Sequence, residues 1–283
     1  MKTVLVTGGT GFIGVYLANE LSDRGYTVTV YDKARNRFRY LNPQVGFELI
    51  DIRDHIFEGS FDYVYHLASS VSLANSIPRA EDHISTNIWG TYNIVESFPG
   101  SRVVFLSSIF AADANSFHGL NKKCAEHFIN THKNSVSIRI GSIFGEGQAT
   151  TGSKIPLFVS KLKHNEKVNV KNNNCQKIEY TYVRDLVREI IRIGESKIKG
   201  QTETGYGSPM KELELYKLIA KISKSKENFK LVPTKKRPSI INIIKSKIKE
   251  PRYGFLEGLR RTIRWYLEED INANMEGKSL HRV

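Results

Sequence analysis

Cysteine is scarce in this chain of 283 residues, which contains only Cys124 and Cys175. The two cysteines make no metal-binding spacing, so we expect neither a metal site nor a disulfide framework. The sequence also lacks any apolar run of about 18 residues, so no membrane-spanning helix is expected. Internal repeats and long low-complexity tracts are absent as well. These absences leave a globular protein, long enough for a full hydrophobic core.

The net charge of +13 is unevenly distributed along the chain. Residues 1–150 are nearly neutral, so almost all of the excess of lysine and arginine lies after them. This basic part is compatible with an anionic partner, and equally with a solvated lysine-rich surface. No nucleic-acid reader motif occurs, and aromatic residues are not interleaved with the basic clusters. We therefore expect no specific nucleic-acid binding and no membrane partner.

The N-terminal segment combines a strand pattern with a glycine-rich turn. The apolar residues 4–6 lead directly into Thr7-Gly8-Gly9-Thr10-Gly11-Phe12-Ile13-Gly14, and a helical pattern follows over residues 15–21. Because the chain begins on a core strand, we expect no signal peptide. Strand, glycine turn and helix in this order are typical of a dinucleotide-binding unit, although an ordinary tight turn is the alternative. Glycines there let a pyrophosphate approach the backbone, and the helix N-terminus would hold its charge. The predicted cofactor contacts in this segment are Gly8, Gly11, Phe12, Ile13 and Gly14.

A second strand is predicted at residues 26–31, which are β-branched and aromatic, and Asp32 follows it. An acid at this point suits the two hydroxyls of an adenosine ribose and repels a 2′-phosphate, so NAD is favoured over NADP. The basic residues Lys33, Arg35 and Arg37 weaken that preference, and a helix or turn cap is the alternative role of Asp32. The next two predicted strands cover residues 47–50 and 63–65. Further candidates for cofactor contacts follow them, namely Asp51, Ile52, Leu67 and Ala68.

The alternation of strand and helix patterns continues to about residue 145, as a doubly wound parallel sheet requires. Strands are predicted at 103–106 and 136–140, with a helix at 115–132. After residue 147 the loops lengthen and lysines multiply. We predict an α/β Rossmann-type domain over residues 1–145 and a smaller substrate-binding lobe. The chain is expected to rejoin the main domain at about 176–206, so the lobe comprises 146–175 and 207–283, with helices at 212–222 and 256–269.

Five further segments stand in a fixed order behind the glycine motif. They are Asn87-Ile88-Trp89-Gly90-Thr91-Tyr92-Asn93, Phe105-Leu106-Ser107-Ser108, Arg139-Ile140-Gly141-Ser142-Ile143-Phe144-Gly145, Tyr180-Thr181-Tyr182-Val183-Arg184-Asp185 and Glu257-Gly258-Leu259-Arg260-Arg261-Thr262-Ile263-Arg264-Trp265-Tyr266. Together these motifs resemble the extended short-chain dehydrogenase/reductase family, which includes NAD-dependent sugar-nucleotide epimerases and dehydratases. The resemblance runs nearly end to end. It implies NAD as cofactor, Asn87 as a further cofactor contact, a cytoplasmic enzyme, and a homodimer formed through helices near residues 85–97 and 117–132.

The same resemblance implies a catalytic serine, tyrosine and lysine, with the last two spaced four apart on one helical face. Ser108 and Lys122 occupy the serine and lysine positions. The lysine would lower the pKa of the tyrosine and bind the nicotinamide ribose. The tyrosine position, however, holds His118, and no tyrosine occurs between Tyr92 and Tyr180. Only ten positions separate Ser108 from His118, so the loop between them is shorter than in typical members.

Three interpretations of His118 remain open at this point. In the first it is the acid/base, because imidazole titrates near neutral pH and the nearby Lys122 would keep it neutral. In the second the site has lost redox chemistry but still binds a dinucleotide, as a sensor or scaffold would. In the third His118 is only a polar residue at a helix start, and the base is Asp113 or a group of the substrate.

The substrate side also departs from the family pattern. Ser142 stands where many relatives have an asparagine. Lys177 and Arg237 are candidate diphosphate contacts, because a guanidinium fork and point charges suit phosphate, with plain surface charge as the alternative. The aspartate–glutamate pair of the 4,6-dehydratases is missing near Ser108. The resemblance therefore implies an NAD-dependent epimerase or 4-keto-sugar reductase that acts on a nucleotide-diphosphate sugar, in the synthesis of surface-polysaccharide precursors.

Overall fold

The strands and helices follow the alternating order that the sequence predicts. The computed structural model describes residues 1–54, 57–70, 80–172, 177–233 and 247–268. The strands are β1 (Thr3–Thr7), β2 (Thr27–Asp32), β3 (Gly46–Leu49), β4 (Tyr63–His66), β5 (Arg102–Ser108), β6 (Ser135–Ile140), β7 (Ser142–Phe144), β8 (Val168–Asn172), β9 (Lys177–Ile178), β10 (Tyr180–Tyr182), β11 (Gly200–Thr204), β12 (Met210–Lys211) and β13 (Phe229–Pro233). The helices are α1 (Phe12–Asp23), α2 (Ala80–Ile84), α3 (Gly90–Ser97), α4 (Phe117–Thr131), α5 (Lys154–Lys163), α6 (Val183–Glu195), α7 (Glu212–Ser223) and α8 (Gly254–Glu268). A π-helical turn, Ser85–Trp89, joins α2 to α3, and short 3₁₀ turns cover Phe38–Tyr40 and Ile109–Ala111.

The central sheet has seven strands in the order β11-β6-β5-β4-β1-β2-β3. Every neighbouring pair in it is parallel. The chain builds outward from β1 to β3 on one side and from β4 onward on the other. The strand order therefore reverses between β1 and β4, and ligands of such sheets bind at the carboxyl ends of the strands at this point. The predicted doubly wound α/β sheet is confirmed.

The strands form because their residues are apolar on both faces, as a parallel sheet covered by helices requires. Val4, Leu5 and Val6 of β1 are completely buried. On one face Leu5, Val64 and Val103 pack with Ile94 and Ile129 from the helices α3 and α4. Burying each such side chain contributes about 1.5–3 kcal/mol relative to leaving it exposed. This packing fixes the strands whose carboxyl ends carry the candidate site residues.

Most observed element ends lie within one to three residues of the predicted ones. Strand β5 extends beyond the predicted residues 103–106, because Ser107 and Ser108 continue to pair with Arg139 and Ile140 of β6. Helix α1 begins at Phe12 rather than at residue 15, with Gly11 as its N-cap. Ser108 and the glycine segment are therefore held by regular structure.

The chain divides into two compact units. The first comprises Met1–Ile140 and Leu186–Thr204, and the second comprises Gly141–Asp185 and Gly205–Val283. The return to the first unit is shorter than the predicted 176–206, because β10 pairs with β7 of the second unit rather than with the central sheet. Assigning the second unit to substrate binding stays a prediction.

Within the second unit, two more small sheets accompany the β7–β10 pair. Strand β8 pairs with β13 in parallel, and β9 pairs with β12 in the antiparallel direction. Phe158 of α5 packs edge-on against Tyr216 of α7, with ring centroids 5.3 Å apart. Among the helices of the described ranges, none combines the length and apolar character that a membrane crossing needs.

Candidate active site

The glycine segment forms a narrow cradle at the end of β1. Gly8 has a φ of +69°, and a Cβ atom there would lie only 2.7 Å from the main-chain nitrogen of Ala68. Gly8 donates its N–H to the carbonyl of Tyr31 (2.8 Å), and Gly11 donates to the carbonyl of Gly8 (3.0 Å). No side chain caps α1 at Gly11. The residues present therefore fit a pyrophosphate, because a glycine-rich turn leads into a helix N-terminus whose N-cap residue, Gly11, has no capping side chain.

Asp32 fastens the glycine segment to the end of β2. Its Oδ2 accepts hydrogen bonds from the Thr10 main-chain nitrogen (3.0 Å) and the Thr10 hydroxyl (2.7 Å). Its Oδ1 accepts a longer bond from the main-chain nitrogen of Ala34 (3.3 Å). Asp32 therefore caps this turn, which is the alternative role given for it in the sequence analysis. Its Oδ1 can still accept a hydrogen bond from a ribose hydroxyl. Thr10 was missed by the sequence analysis, because only the fold brings it to Asp32.

Asp51 is engaged in an ion-pair cluster. Arg53 contacts both of its carboxylate oxygens, the shortest contact being 2.5 Å, and also pairs with Asp82 (3.2 Å). Burial raises the pKa of Asp51, but the hydrogen bonds from Arg53 outweigh burial, so the pKa lies below its ordinary value. The Ile52 side chain lies in the core against Gly90. Only the main chain of Ile52 is left for a cofactor contact, and the adenine contact of Asp51 stays a prediction.

The segment after β4 is held by Asn87, which lies in the π-helical turn. The Asn87 Oδ1 accepts from the Ser69 hydroxyl and the Ser70 main-chain nitrogen, each at 2.8 Å. Its Nδ2 donates to the Ser70 carbonyl (3.0 Å). The preceding residues bond to Thr7, since Leu67 donates to its carbonyl (3.1 Å) and Ala68 to its hydroxyl (3.3 Å). Asn87 thus shapes the segment in which Leu67 and Ala68 were predicted as cofactor contacts.

Ser108 ends β5 and caps the short turn that follows it. Its Oγ accepts a hydrogen bond from the Phe110 main-chain nitrogen (3.3 Å). Helix α4 packs directly on this turn, because Gly119 has no Cβ and one would lie 2.2 Å from the carbonyl oxygen of Phe110. The short loop closes through Ala114, whose φ is +51°. Close packing brings His118 beside Phe110, with ring centroids 6.3 Å apart.

Lys122 follows His118 by one helical turn and is buried. Its Nζ donates to the main-chain carbonyl of Leu106 (2.9 Å) and lies 4.8 Å from the centre of the Phe105 ring. Burial lowers the pKa of Lys122 to about 8, although the charge of Glu126 partly opposes this. Glu126 is itself held by hydrogen bonds from Ser107, Arg139 and Gln201. The ammonium therefore occupies one defined position on β5.

His118 is only 9% exposed, and its Nδ1 has no hydrogen-bond partner within the described part of the chain. Burial, then the charges of Lys122 and His83, lower its pKa to about 4. His83 of α2 is completely buried, and neither of its ring nitrogens has a partner among the residues described. It packs edge-on against Phe117, with ring centroids 6.1 Å apart. His118 is therefore a neutral imidazole at neutral pH, next to a second histidine that the sequence analysis missed.

The remaining predicted residues are exposed or lie outside the described ranges. Ser142 on β7 and Lys177 on β9 are exposed and belong to the second unit. Arg237 and Cys175 lie outside the described residues. Asp113, the alternative base, is exposed and accepts a hydrogen bond from the Asn115 main-chain nitrogen (3.4 Å). The substrate contacts of Ser142, Lys177 and Arg237 stay predictions.

A phosphate cradle at the switch point of a parallel sheet, with a serine and a buried lysine in the same unit, agrees with the resemblance to the extended short-chain dehydrogenase/reductase family. Residues 4–205 match the family described as the NAD dependent epimerase/dehydratase family. The match spans more than half of the chain, so the protein belongs to this family, and NAD is the cofactor that its cradle fits.

Relatives of known name cover nearly the whole chain. UDP-N-acetyl-alpha-D-glucosaminuronate decarboxylase of Bacillus cytotoxicus is 24% identical over 94% of this chain and 98% of its own. UDP-glucuronic acid decarboxylase 1 of Danio rerio is 26% identical over 95% of this chain and 73% of its own. The structure of UDP-N-acetylglucosamine 4-epimerase from Methanobrevibacter ruminantium superposes with a TM-score of 0.82 at 22% identity, covering 94% of this chain and 98% of that one. Family members thus include epimerases and also decarboxylases, a reaction that the sequence analysis did not weigh.

Proposed function

We propose that the protein is an NAD-dependent nucleotide-sugar epimerase or 4-keto-sugar reductase in which His118 moves the proton. The observation that carries this proposal is the placement of two buried groups on one face of α4. His118 and Lys122 lie one turn apart, beside the end of the strand that carries Ser108. The cofactor held in the cradle would supply the hydride chemistry: in an epimerase NAD would take up a hydride from the sugar ring and give it back, and in a reductase NADH would deliver one to the keto sugar.

His118 would act as the acid/base because it is neutral and held in a water-poor environment. Its Nδ1 is fully buried, so Nε2 is the nitrogen that would take the proton from a sugar hydroxyl. Nδ1 must then carry the ring hydrogen. Burial, and then the charge of Lys122, keep His118 neutral, and the remaining N–H groups of Lys122 would orient the nicotinamide ribose.

Ser108 would hold the reacting oxygen of the sugar. Its Oγ accepts one long hydrogen bond from Phe110, and its own hydroxyl hydrogen has no acceptor in the described ranges. That hydrogen would be donated to the reacting oxygen of the sugar. In the second unit, Ser142 would contact the substrate and Lys177 its diphosphate. Arg237, which lies beyond the described residues, would be a second contact to the diphosphate.

One observation favours a second candidate, a catalytically degenerate NAD(H)-binding sensor or scaffold. The pKa of His118 is lowered to about 4, and a base so weak accepts a proton at neutral pH less readily than an ordinary imidazole. In this candidate the glycine cradle binds NAD while His118 only fills the start of α4.

A proton NMR time course tests the proposal. The purified protein and NAD(H) would be mixed with UDP-, GDP-, CDP- and dTDP-sugars, including 4-keto forms and sugar acids. We expect conversion of one sugar, and its loss in His118→Phe while NAD binding measured by calorimetry persists. Conversion that survives in His118→Phe would contradict the role of His118. No conversion with NAD bound would favour the sensor, and loss of carbon dioxide from a sugar acid would contradict the preference for epimerase or reductase.

We further propose that the protein is a homodimer through α3 and α4. Trp89 is 56% exposed and Leu120 is 50% exposed, although both are large and apolar. Trp89 stacks on Tyr92 (5.3 Å between ring centroids), which packs edge-on against Phe128 of α4. Analytical ultracentrifugation should show a dimer that Trp89→Arg converts to a monomer, and a monomeric parent protein would refute this. A cytoplasmic location and a place in polysaccharide synthesis stay predictions.

A further inference from the structure

We propose that His66 is a positioning residue whose neutral ring links the two segments of the cofactor cradle. One segment contains Gly8 and follows β1, and the other, residues 67–70, follows β4. His66 is completely buried at the end of β4, opposite Thr7 in the pairing of β1 with β4. The proposed function above assigns no role to this residue.

Hydrogen bonds at both ring nitrogens determine the tautomer of His66. The Thr91 hydroxyl donates its single hydrogen to the Asn87 carbonyl (2.7 Å), so toward the His66 Nε2 (3.0 Å) it can only accept. Nε2 therefore carries the ring hydrogen. Nδ1 is left as an acceptor, and the Thr7 hydroxyl donates to it (2.7 Å). The ring thus accepts at one end and donates at the other, as a neutral imidazole can.

Each end of this chain of hydrogen bonds terminates at a predicted cofactor contact. At the Nδ1 end, the Thr7 oxygen also accepts the N–H of Ala68 (3.3 Å), whose nitrogen lies against Gly8. At the Nε2 end, Thr91 leads to Asn87, whose side chain holds Ser69 and Ser70. The ring therefore adds a link between Thr7, which precedes the glycine turn, and Asn87, which holds the segment after β4, beside the direct bond of Ala68 to Thr7.

The surroundings of His66 keep the ring uncharged. Burial, and then the charge of Lys122, lower its pKa to about 3. The ring stacks on Phe105 with centroids 5.4 Å apart, and the Lys122 Nζ lies 4.8 Å from the centre of the same Phe105 ring. A protonated ring would carry hydrogens on both nitrogens, and the Thr7 hydroxyl could no longer donate to it. His66 thus acts through its neighbours and takes no proton from the substrate.

Four variants test the hydrogen bonds at the two ring nitrogens of His66 separately. Asn places its amide near the Nδ1 position and Gln places its amide near the Nε2 position, so His66→Asn and His66→Gln each retain one link. His66→Phe keeps the stacked ring and loses both links. Thr91→Val keeps His66 and removes only the Nε2 partner. The dissociation constant for NAD would be measured by calorimetry on each folded protein, with melting temperatures alongside and nitrogen-15 NMR of His66 in the parent protein.

We expect His66→Phe to raise the dissociation constant for NAD by about tenfold or more, since buried partners are left unsatisfied. His66→Asn and His66→Gln should lie between this variant and the parent, and NMR should show a neutral ring with its hydrogen on Nε2. An unchanged NAD affinity with only a lower melting temperature would overturn the proposal, as would the other tautomer or a charged ring. If His66→Phe does not fold, Thr91→Val decides, with a rise of several-fold supporting the link and no rise refuting it.

Discussion

The Nζ of Lys122 donates a hydrogen bond to the main-chain carbonyl of Leu106, 2.9 Å away, in a position that is closed to solvent. Burying an ammonium without a directly paired carboxylate costs free energy, and this cost is visible in the pKa, which burial lowers from 10.5 to about 8. The burial of Lys122 therefore costs stability, and its position one helical turn from His118 suits a functional role.

Lys122→Met should therefore stabilise the fold while weakening cofactor binding. At pH 7 the lysine is charged in both the folded and unfolded chain, so the full cost of burial applies. We expect the free energy of unfolding to rise by about 1–3 kcal/mol, after allowing for the lost hydrogen bond. Urea unfolding and NAD titration measure the two effects, with the exposed Lys123→Met as control. A lower free energy of unfolding in Lys122→Met would contradict this account.

The rate of the proposed reaction should depend on the protonation of His118. Burial and the charge of Lys122 lower its pKa from 6.5 to about 4, and the neutral form, present above the pKa, is the base. Activity should therefore persist below pH 6 and fall only as the pH approaches 4. The dependence of kcat on pH measures this fall in activity on the acid side. His118→Tyr should move this fall in activity to a higher pH, because a phenol titrates near 10 before the charge of Lys122 lowers its pKa, far above the value for His118. If the activity of the unsubstituted protein already falls near pH 6.5, the burial of His118 does not lower its pKa and this prediction is wrong.

The same lowered pKa predicts a loss of stability in mild acid. Between pH 6.5 and 4 the unfolded chain binds a proton at His118 that the folded chain does not, so stability falls as the pH falls. The loss from this residue should reach about 3 kcal/mol near pH 4. Urea unfolding at several pH values measures the slope, which should be shallower in His118→Phe but unchanged in the exposed His127→Phe. Equal slopes in the parent and in His118→Phe would contradict the prediction.

Gly8→Ala tests whether the glycine segment binds NAD, and Gly25→Ala is its matched control. Both glycines have a positive φ, +69° and +83°, so both substitutions carry backbone strain. Only at Gly8 does a Cβ meet another backbone, 2.7 Å from the Ala68 nitrogen, whereas nothing lies within 4 Å at Gly25. We expect both variants to lose about 1 kcal/mol or more of stability, and only Gly8→Ala to lose measurable NAD binding by calorimetry. Equal NAD affinities in the two variants would refute the cradle.

Ala114→Gly should relieve strain in the short loop between Ser108 and His118. Ala114 has a φ of +51°, which costs an alanine about 1–2 kcal/mol, while glycine adds roughly half of this as chain entropy in the unfolded state. A net gain of about 0.5–1 kcal/mol is expected in urea unfolding. Asn165→Gly, at a φ of +52°, should gain less because asparagine tolerates this conformation. A loss of stability in Ala114→Gly would show that the alanine side chain contributes packing that outweighs the strain.

Much of the fold was predictable because its signals are local. Apolar runs such as Val4 to Val6 mark strands covered on both faces, and a glycine motif placed between a strand and a helix is typical of a dinucleotide-binding turn. The positions of Ser108 and Lys122 followed from the resemblance. The return to the main domain was predicted too long, because the pairing of Tyr180–Tyr182 with β7 depends on residues that are distant in sequence.

The amino-acid sequence by itself determined the alternation of strands and helices, the glycine motif of the NAD cradle at Gly8 and the presence of His118 in place of the expected tyrosine, since each of these is a feature of residues that are neighbours along the chain. Only the tertiary structure decided the state of those groups. Parallel pairing sets Thr7 opposite His66 and thereby one tautomer, and the packing of α4 on β5 buries His118 and Lys122. Desolvation and hydrogen-bond direction depend on what surrounds a side chain in space, which the local sequence pattern does not contain.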